Sequence, residues 1–466
     1  MLTLPRKEVI TVRIAIALIE GLMMVFSSWL MFLMLYQIVL SFVGFKRKTK
    51  DYQDHEPEAR FLVLVPAHNE DKVIAAMIDN LNRMDYPKEL YDYVILADNC
   101  TDRTEEIARE LGAEVLVSRR ESEDEPTGKP IVLQKALKAL GNYKEKYDLV
   151  MFFDADNMID LNMFREVNSQ YIDSDRKADV IQCYLGCKNK EGMVAFADYV
   201  SYTITNRFMQ YAKQRIGLNA AIGGTGFCVS AEYLYDRGGW TSLSLTEDFE
   251  LQIETICEGR RLLWNNEVRI HDEKPTKLRA CARQRLRWAQ GRWFVSFKNT
   301  PRLLKAMFTG KISFWEFLST FWGMYNMSPF AVLTLEGILM LFLELARLYI
   351  PGASDYVTLR FSSMFSFNFV SILVMFYSIY VLFYMGDWLD NHRTPKLREV
   401  WPVFVSIFIN MGLGGLVNLI GLFKHRKQNV WVKTEHSINV DMDAVLAPAA
   451  QAVEEAEEAA EQAVEG

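Results

Sequence analysis

Two aspartates one residue apart, Asp154 and Asp156, close the apolar run LVMFF at 149–153. Carboxylates in this spacing suit a hard divalent cation or its phosphate ligands. The run reads as a buried strand. Side chains alternate along a strand, so both carboxylates point the same way, and Ala155 leaves room for a ligand. The competing reading is a strand that ends in an Asp-rich turn. Similar polar groups follow two other apolar runs. Val65-Pro66-Ala67-His68-Asn69-Glu70 and Ala97-Asp98-Asn99-Cys100-Thr101-Asp102 set Ala67, Glu70 and Asp98 where acceptor oxygens can hold the base and ribose of a nucleotide. The same residue types also make ordinary turns. Lys129, with Gly128 before a helix start, and Arg119 add positive charge for phosphates; solvated surface cations are the alternative.

Two later stretches carry further chemistry. Ser244-Leu245-Thr246-Glu247-Asp248 fits a helix capping box, Ser244 paired with Glu247. It also fits a catalytic acid: Asp248 in a first helical turn, kept ionised by the helix dipole, can take a proton from an attacking hydroxyl. In Gln284-Arg285-Leu286-Arg287-Trp288, helical spacing puts Gln284, Arg287 and Trp288 on one face. An arginine there can bind a diphosphate by paired hydrogen bonds, and a tryptophan offers a flat plate for a sugar ring. Anchoring at a membrane surface is the other reading, open to Arg285 as well.

Elements that could position these groups alternate along the middle of the chain. FLVLV (61–65), DYVILA (92–97), AEVLV (113–117), LVMFF (149–153) and DVIQC (179–183) are strand-like, and helix-like stretches at 71–84, 103–111 and 130–140 lie between them. The alternation predicts a mainly parallel sheet covered by helices, with ligands beyond the carboxyl ends of the strands.

The order VPAHNE, ADNCTD, DAD, GGTGFCVS, GGW, TED, QRLRW resembles the membrane-embedded family 2 glycosyltransferases, the group of the cellulose, chitin and hyaluronan synthases, over about residues 60–300. The resemblance implies an α/β GT-A fold, Rossmann-like, plus transmembrane helices, and a UDP-sugar donor. It implies roles for individual residues too: Asp98 on the uridine, Asp154 and Asp156 on the nucleotide and Mg²⁺ or Mn²⁺, Asp248 as the base of an inverting displacement with Glu247 as accessory. Gln284, Arg285 and Arg287 would meet the diphosphate and Trp288 the acceptor. Trp431-Val432-Lys433-Thr434-Glu435-His436 looks like a gating segment, with Trp431, Thr434 and His436 as its marked positions; His436 stands where lysine is usual.

Apolar residues concentrate at the two ends. Leu22–Gly44 is 23 uncharged residues followed by Lys46, Arg47, Lys48 and Lys50, enough to cross a bilayer core of about 30 Å with a cytoplasmic carboxyl end. Three more apolar spans fall at 329–349, 361–386 and 400–423. Glu336 and Glu344 lie inside the first, Glu336 as a candidate channel wall and Glu344 as a partner for Arg347. Three crossings would leave the gating segment outside, so either 312–327 crosses as well, which is the expectation, or the gating reading fails. The domains expected are 1–50 (spanning), 51–273 (catalytic), 274–312 (basic and interfacial), 313–427 (spanning), 428–440 (gating) and 441–466 (acidic tail).

The net charge of −7 belongs to that tail, whose eight acids and no Lys or Arg leave the body at +1. Nothing in the body marks a nucleic-acid partner. Six cysteines without zinc-site spacing read as thiols in a reducing compartment. The expectation is a multi-pass plasma-membrane enzyme with a cytoplasmic catalytic domain, extending and translocating a β-linked polysaccharide. A single sugar transfer to a membrane lipid, or a channel or scaffold with an inactive transferase domain, are the alternatives.

Overall fold

The computed structural model describes residues 6–46, 50–120, 122, 125–326, 335–341, 373–374, 376–393 and 396–428. Their centre is one eight-stranded sheet. Its strands are β1 (Phe61–Ala67), β2 (Tyr91–Asp98), β3 (Glu114–Ser118), β4 (Leu149–Phe152), β5 (Met158–Ile159), β6 (Val180–Cys187), β7 (Phe227–Ser230) and β8 (Leu262–Asp272). They lie in the order β3-β2-β1-β4-β7-β6-β8-β5. The apolar runs form strands buried on both faces because consecutive residues feed two different cores. Phe61, Val63 and Val65 pack beneath α2 (Ile74–Asn82) and α5 (Met163–Asp173). Leu62 and Leu64 pack on the opposite face, with α4 (Lys129–Leu140) and α9 (Glu247–Cys257).

The sheet is mixed and mostly parallel: four neighbouring pairs run parallel, and β4–β7, β6–β7 and β5–β8 run antiparallel. The reversal has a local cause. After α6 (Met193–Thr205), a π-helical turn (Asn206–Tyr211) and α7 (Ala212–Arg215), residues 216–226 run along the carboxyl ends of the strands. The next strand, β7, therefore starts where the parallel strands stop.

Helices outside the sheet include α1 (Arg6–Gly44), α8 (Ala231–Asp236), α10 (Leu278–Phe308), α11 (Phe314–Tyr325), α12 (376–391) and α13 (Val400–Lys424); α3 (Thr104–Glu110) covers β2 and β3. Among the described residues, two stretches are long and apolar enough to cross a membrane, Ile16–Gly44 within α1 and Val400–Lys424. The expected span at 400–423 coincides with the second of these, α13, which also packs on the catalytic domain. Val403 sits with Phe196 and Val200 of α6, Asn410 donates to the Ala197 carbonyl at 2.6 Å, and Trp293 of α10 donates to the Asn418 carbonyl at 3.0 Å. Just beyond, Gln428 accepts from Leu245 N at 3.0 Å. Its other face leaves Trp401, Phe404, Phe408, Leu416 and Phe423 exposed.

The crossing expected at 312–327, by contrast, is corrected. α11 has 12 residues, about 18 Å at 1.5 Å per residue, is capped by Ser313, and buries Glu316, Ser319, Thr320, Trp322 and Met324. The spans at 329–349 and 361–386 lie largely outside the described residues, as does Glu344. Glu336 faces protein, fully buried and accepting from Ser27 of α1 at 2.6 Å.

Buried charge ties these helices to the domain. Arg207, in the π-helical turn, pairs with Asp390 of α12 at 2.8 Å with both side chains fully buried, and donates to the Gly44 carbonyl at the end of α1 at 2.8 Å. Arg269 of β8 donates to Asn391 at 2.6 Å. Breaking one side of such a pair strands the other charge in a low dielectric. Asp390→Asn is expected to destabilise the folded protein by about 3–5 kcal/mol, read as a lowered midpoint of thermal unfolding in detergent. An unchanged midpoint would show that the latch carries no stability.

Candidate active site

At the carboxyl ends of β1, β2 and β4 lies a cavity of about 1110 Å³. Ala67, Glu70, Asp98, Lys129, Asp154, Asp156, Glu247, Asp248, Gln284, Arg287 and Trp288 all line it. Seven elements and loops thus meet at one space, although the residues span more than 200 positions of sequence.

The D-x-D pair is aligned by a turn and not by strand alternation. β4 ends at Phe152, and Asp154 N donates to Asn157 Oδ1 and Thr225 Oγ1, both at 3.0 Å, while Asn157 N donates back to the Asp154 carbonyl at 3.1 Å. Asp154 accepts from Lys129 Nζ at 2.6 Å, and the same ammonium donates to the Gly224 carbonyl at 2.6 Å. Burial alone would depress the Lys129 ammonium, but Asp154, Glu247 and Asp248 outweigh it and hold it above its ordinary value. Asp156 is 7% exposed, and Lys188 donates to its carbonyl. Asp98, 6% exposed, accepts from Gly128 N at 3.2 Å, which joins the end of β2 to the start of α4.

The capping-box reading of Ser244 does not hold. Thr246 occupies the N-cap of α9 without a side-chain cap bond, and Ser244 N instead donates to Glu250 at 3.0 Å. Glu247 and Asp248 fill the first turn. Burial lifts both carboxyls above their ordinary range. For Asp248 the backbone N–H of Phe249, Lys129 and Arg287 pull the other way; for Glu247 the neighbouring Asp248 adds to the rise. Gly224 faces Asp248 with φ +85°, and a Cβ there would stand 3.2 Å from Asp248 Oδ2, so both the backbone conformation and the space favour glycine.

α10 brings its cations to the same acids. A Cβ on Gly291 would fall 2.5 Å from Thr246 Oγ1 and 2.9 Å from Thr246 N, so the helix lies against the turn that carries Asp248. Gln284, Arg287 and Trp288 face the cavity; Arg285, about 100° further round the helix from Gln284, does not. It pairs with Asp198 at 2.5 Å and donates to Asn410 of α13 at 2.6 Å. That corrects its expected contact with a diphosphate: Arg285 holds α10 to α6 and α13. Trp431, Thr434 and His436 lie outside the described residues.

Sequence reasoning missed four lining residues. Arg292 follows Trp288 by four positions and shares its face; its guanidinium lies near Asp248, and burial depresses its pKa. Its helical spacing was the available signal. Asp272 ends β8 beside the D-x-D turn, its carboxyl lifted by burial against the pull of Lys274 at 2.7 Å, and Asp156 and Asp154 add to the rise. Lys213 and Gln428 carried no signal. Among the described residues no group of three or more His, Cys, Asp or Glu forms a ready metal cage. The donor chemistry nonetheless fits Mg²⁺ or Mn²⁺: two carboxylates in one turn at a phosphate-sized space, the remaining ligands coming from substrate and water.

A curled, mostly parallel sheet whose strand ends hold acids against arginines on a flanking helix defines a glycosyltransferase of the GT-A type. Residues 57–291 match the model "Glycosyltransferase like family 2", and the chain belongs to that family. It is 23% identical over 431 residues to a probable glycosyltransferase, YdaM, of Bacillus subtilis, covering 84% of this chain and 91% of that one. It is 25% identical to the beta-monoglucosyldiacylglycerol synthase of Nostoc (58% of this chain, 56% of that one), and 23% to the poly-beta-1,6-N-acetyl-D-glucosamine synthase of Staphylococcus aureus (51% and 57%), so it spans little over half of each of those two. The mannosyltransferase PcManGT of Pyrobaculum calidifontis, solved with GDP-Man and Mn²⁺, shares the fold at TM-score 0.53 and 16% identity, over 80% of this chain and 96% of that one.

Two outcomes follow from this geometry. Gly291→Ala must push Thr246 and with it Asp248, and a misplacement near 1 Å costs about 10²-fold; transferase kcat/KM is expected to fall by that order while the unfolding midpoint shifts little. Glu247, whose folded pKa is raised above its ordinary 4.5, binds its proton more tightly folded than unfolded. Its contribution to stability is therefore full below pH 4.5 and is lost as pH rises through the shifted value. Glu247→Gln should flatten the decline of the melting midpoint with pH across that window; an unchanged slope would mean that Glu247 is not the titrating group.

Proposed function

We propose that the protein is an inverting, metal-dependent transferase that takes a hexosyl group from a UDP-sugar and extends a β-linked polysaccharide at the cytoplasmic face of the plasma membrane, passing it through its own helices. What most supports this is a single acid, Asp248, facing Arg287 and Arg292 in the cavity that also holds Asp154 and Asp156. In this reading Asp98 and Glu70 meet the base and ribose. Ionised Asp248 accepts the proton of the acceptor hydroxyl as its oxygen bonds to the anomeric carbon and the bond from that carbon to UDP breaks, with inversion. Arg287 and Arg292 face the charge that develops on the leaving diphosphate, and Trp288 offers a stacking plate to the acceptor sugar. Asp154 and Asp156 would hold Mg²⁺ or Mn²⁺, which when bound supplies Lewis-acid stabilisation of the diphosphate.

The second reading, one sugar added to a membrane lipid, is favoured by the far end of the cavity, where Ser319, Thr320 and Trp322 of α11 line the space and α1 packs behind them. Product length from labelled donor separates the two.

The test is release of UDP from a panel of UDP-sugars by the purified protein in detergent. Asp248→Asn is expected to lower the rate by about 10²–10⁴-fold. Chelation should abolish turnover, and added Mn²⁺ or Mg²⁺ should restore it. Full activity of Asp248→Asn, or turnover indifferent to chelator, would overturn the assignment.

A further inference from the structure

Lys129, Arg287 and Arg292 of the cavity lie by the acids Asp154 and Asp248, and a further buried cation stands apart from them. Lys213 is 5% exposed and lines the space, and among the described residues its ammonium makes no ion pair or hydrogen bond. The carboxylate that acts on it is Glu316 of α11, and that group is already engaged, accepting from Asn219 N at 2.9 Å and from Thr320 Oγ1 at 3.1 Å. A buried ammonium without a partner is costly to the fold. Such a group persists where a ligand supplies the missing charge.

Its position tells which ligand. Asn206, Gln210 and Lys213 follow one another on one helical face (i, i+4, i+7) and all line the cavity. Ala221, Ile222, Gly223 and Gly224 line the path from there to Asp248, beside Gly224. Across from Lys213 stand Ser319, Thr320 and Trp322 of α11. Ser319 accepts from Tyr36 of α1 at 2.8 Å, and Trp322 packs on the Tyr36 ring at 5.0 Å. Lys213 thus marks the end of the cavity that abuts the long apolar helix, while Lys129, Arg287 and Arg292 already provide for a diphosphate at the Asp248 end.

We propose that Lys213 is the counter-cation for an oxyanion, a carboxylate or a phosphate, carried by the acceptor, so that this transferase selects an anionic acceptor at the membrane-facing end of its cavity. The inference rests on the transferase reading above. A neutral glucan or neutral lipid would leave the ammonium as bare in the complex as it is without one. An anionic acceptor neutralises it and is held in register with Asp248 by the same contact.

The experiment compares matched acceptors with the full chain in detergent, using a UDP-sugar that supports UDP release. The pairs are diacylglycerol against phosphatidylglycerol, whose head group keeps free hydroxyls beside its phosphate, and a neutral oligosaccharide against one carrying a glucuronate, so the two arms distinguish a lipid phosphate from a sugar carboxylate. One anionic member is expected to be used with kcat/KM about tenfold or more above its neutral partner. Lys213→Met should collapse that preference by raising KM for the anionic acceptor, and Lys213→Arg should retain it. Because Lys213→Met also removes an unmatched buried charge, its melting midpoint should rise. Equal use of both members of each pair by the native protein, or a preference that survives Lys213→Met, would overturn the proposal. So would a melting midpoint lowered by Lys213→Met, which would make Lys213 a structural partner of Glu316. Failure to release UDP from any donor would instead overturn the transferase reading on which it rests.

Discussion

The arrangement depends on how closely α10 approaches the turn before α9. Gly291 leaves no side chain between the helix and Thr246, so the cationic face of α10 lies directly against the first turn that carries Glu247 and Asp248. Two buried carboxylates in consecutive positions repel each other and are poorly solvated. Lys129 and Arg287 from one helix start and one helix face offset that cost. The same contact that makes the acids tolerable therefore aims the arginines where a leaving diphosphate would develop charge. On its other flank α10 is held by α13, with Gly421 against Ala289 and Arg285 bridging Asp198 and Asn410. The position of the arginines is thus set from both sides of one helix.

A second constraint joins the catalytic domain to its apolar helices. Arg207 has no exposure, and its guanidinium reaches both the end of α1 and Asp390 of α12. It sits one turn before the cavity-lining Gln210, in the π-helical stretch that runs into α7 and Lys213. An extra residue in a helical turn shifts which side chains face a given direction, and here one short segment directs Arg207 to the apolar helices and Gln210 and Lys213 to the cavity. With Arg269 on Asn391, this buried contact joins the domain to those helices.

Much of this was legible in the residues. The five strands beginning at Phe61, Asp92, Ala113, Leu149 and Asp179 appear in the structure as β1, β2, β3, β4 and β6, within one or two residues except that β6 runs on to Cys187, because β-branched and aromatic runs bounded by polar turns have few other packed solutions. The short β5 and β7 and the long β8 were not legible, since WNNEVRIHD mixes buried asparagines with charges whose partners come from elsewhere. Length and hydropathy set α13 apart as a spanning helix; they carry no information on which surface covers it. A 25-residue apolar helix laid along α6 and α10 has the same composition as one that crosses. Arg285 was misplaced for a related reason: a motif read as a string does not show that one of its residues points off the shared face.

By itself, the sequence determined the alternating α/β order, the residue types gathered for sugar-nucleotide chemistry, and the face of α10 that carries Gln284, Arg287 and Trp288. Those features are local, following from side-chain periodicity over one strand or a few helical turns. Only the tertiary structure decided that β7 runs backwards, that Asp154 and Asp156 are aligned by a turn tied to Thr225, that α13 packs on α6 and α10, and that Lys213 makes no ion pair or hydrogen bond among the described residues. Each of these depends on contacts between residues far apart in the chain, and no local pattern encodes which distant group arrives to satisfy a hydrogen bond or a charge.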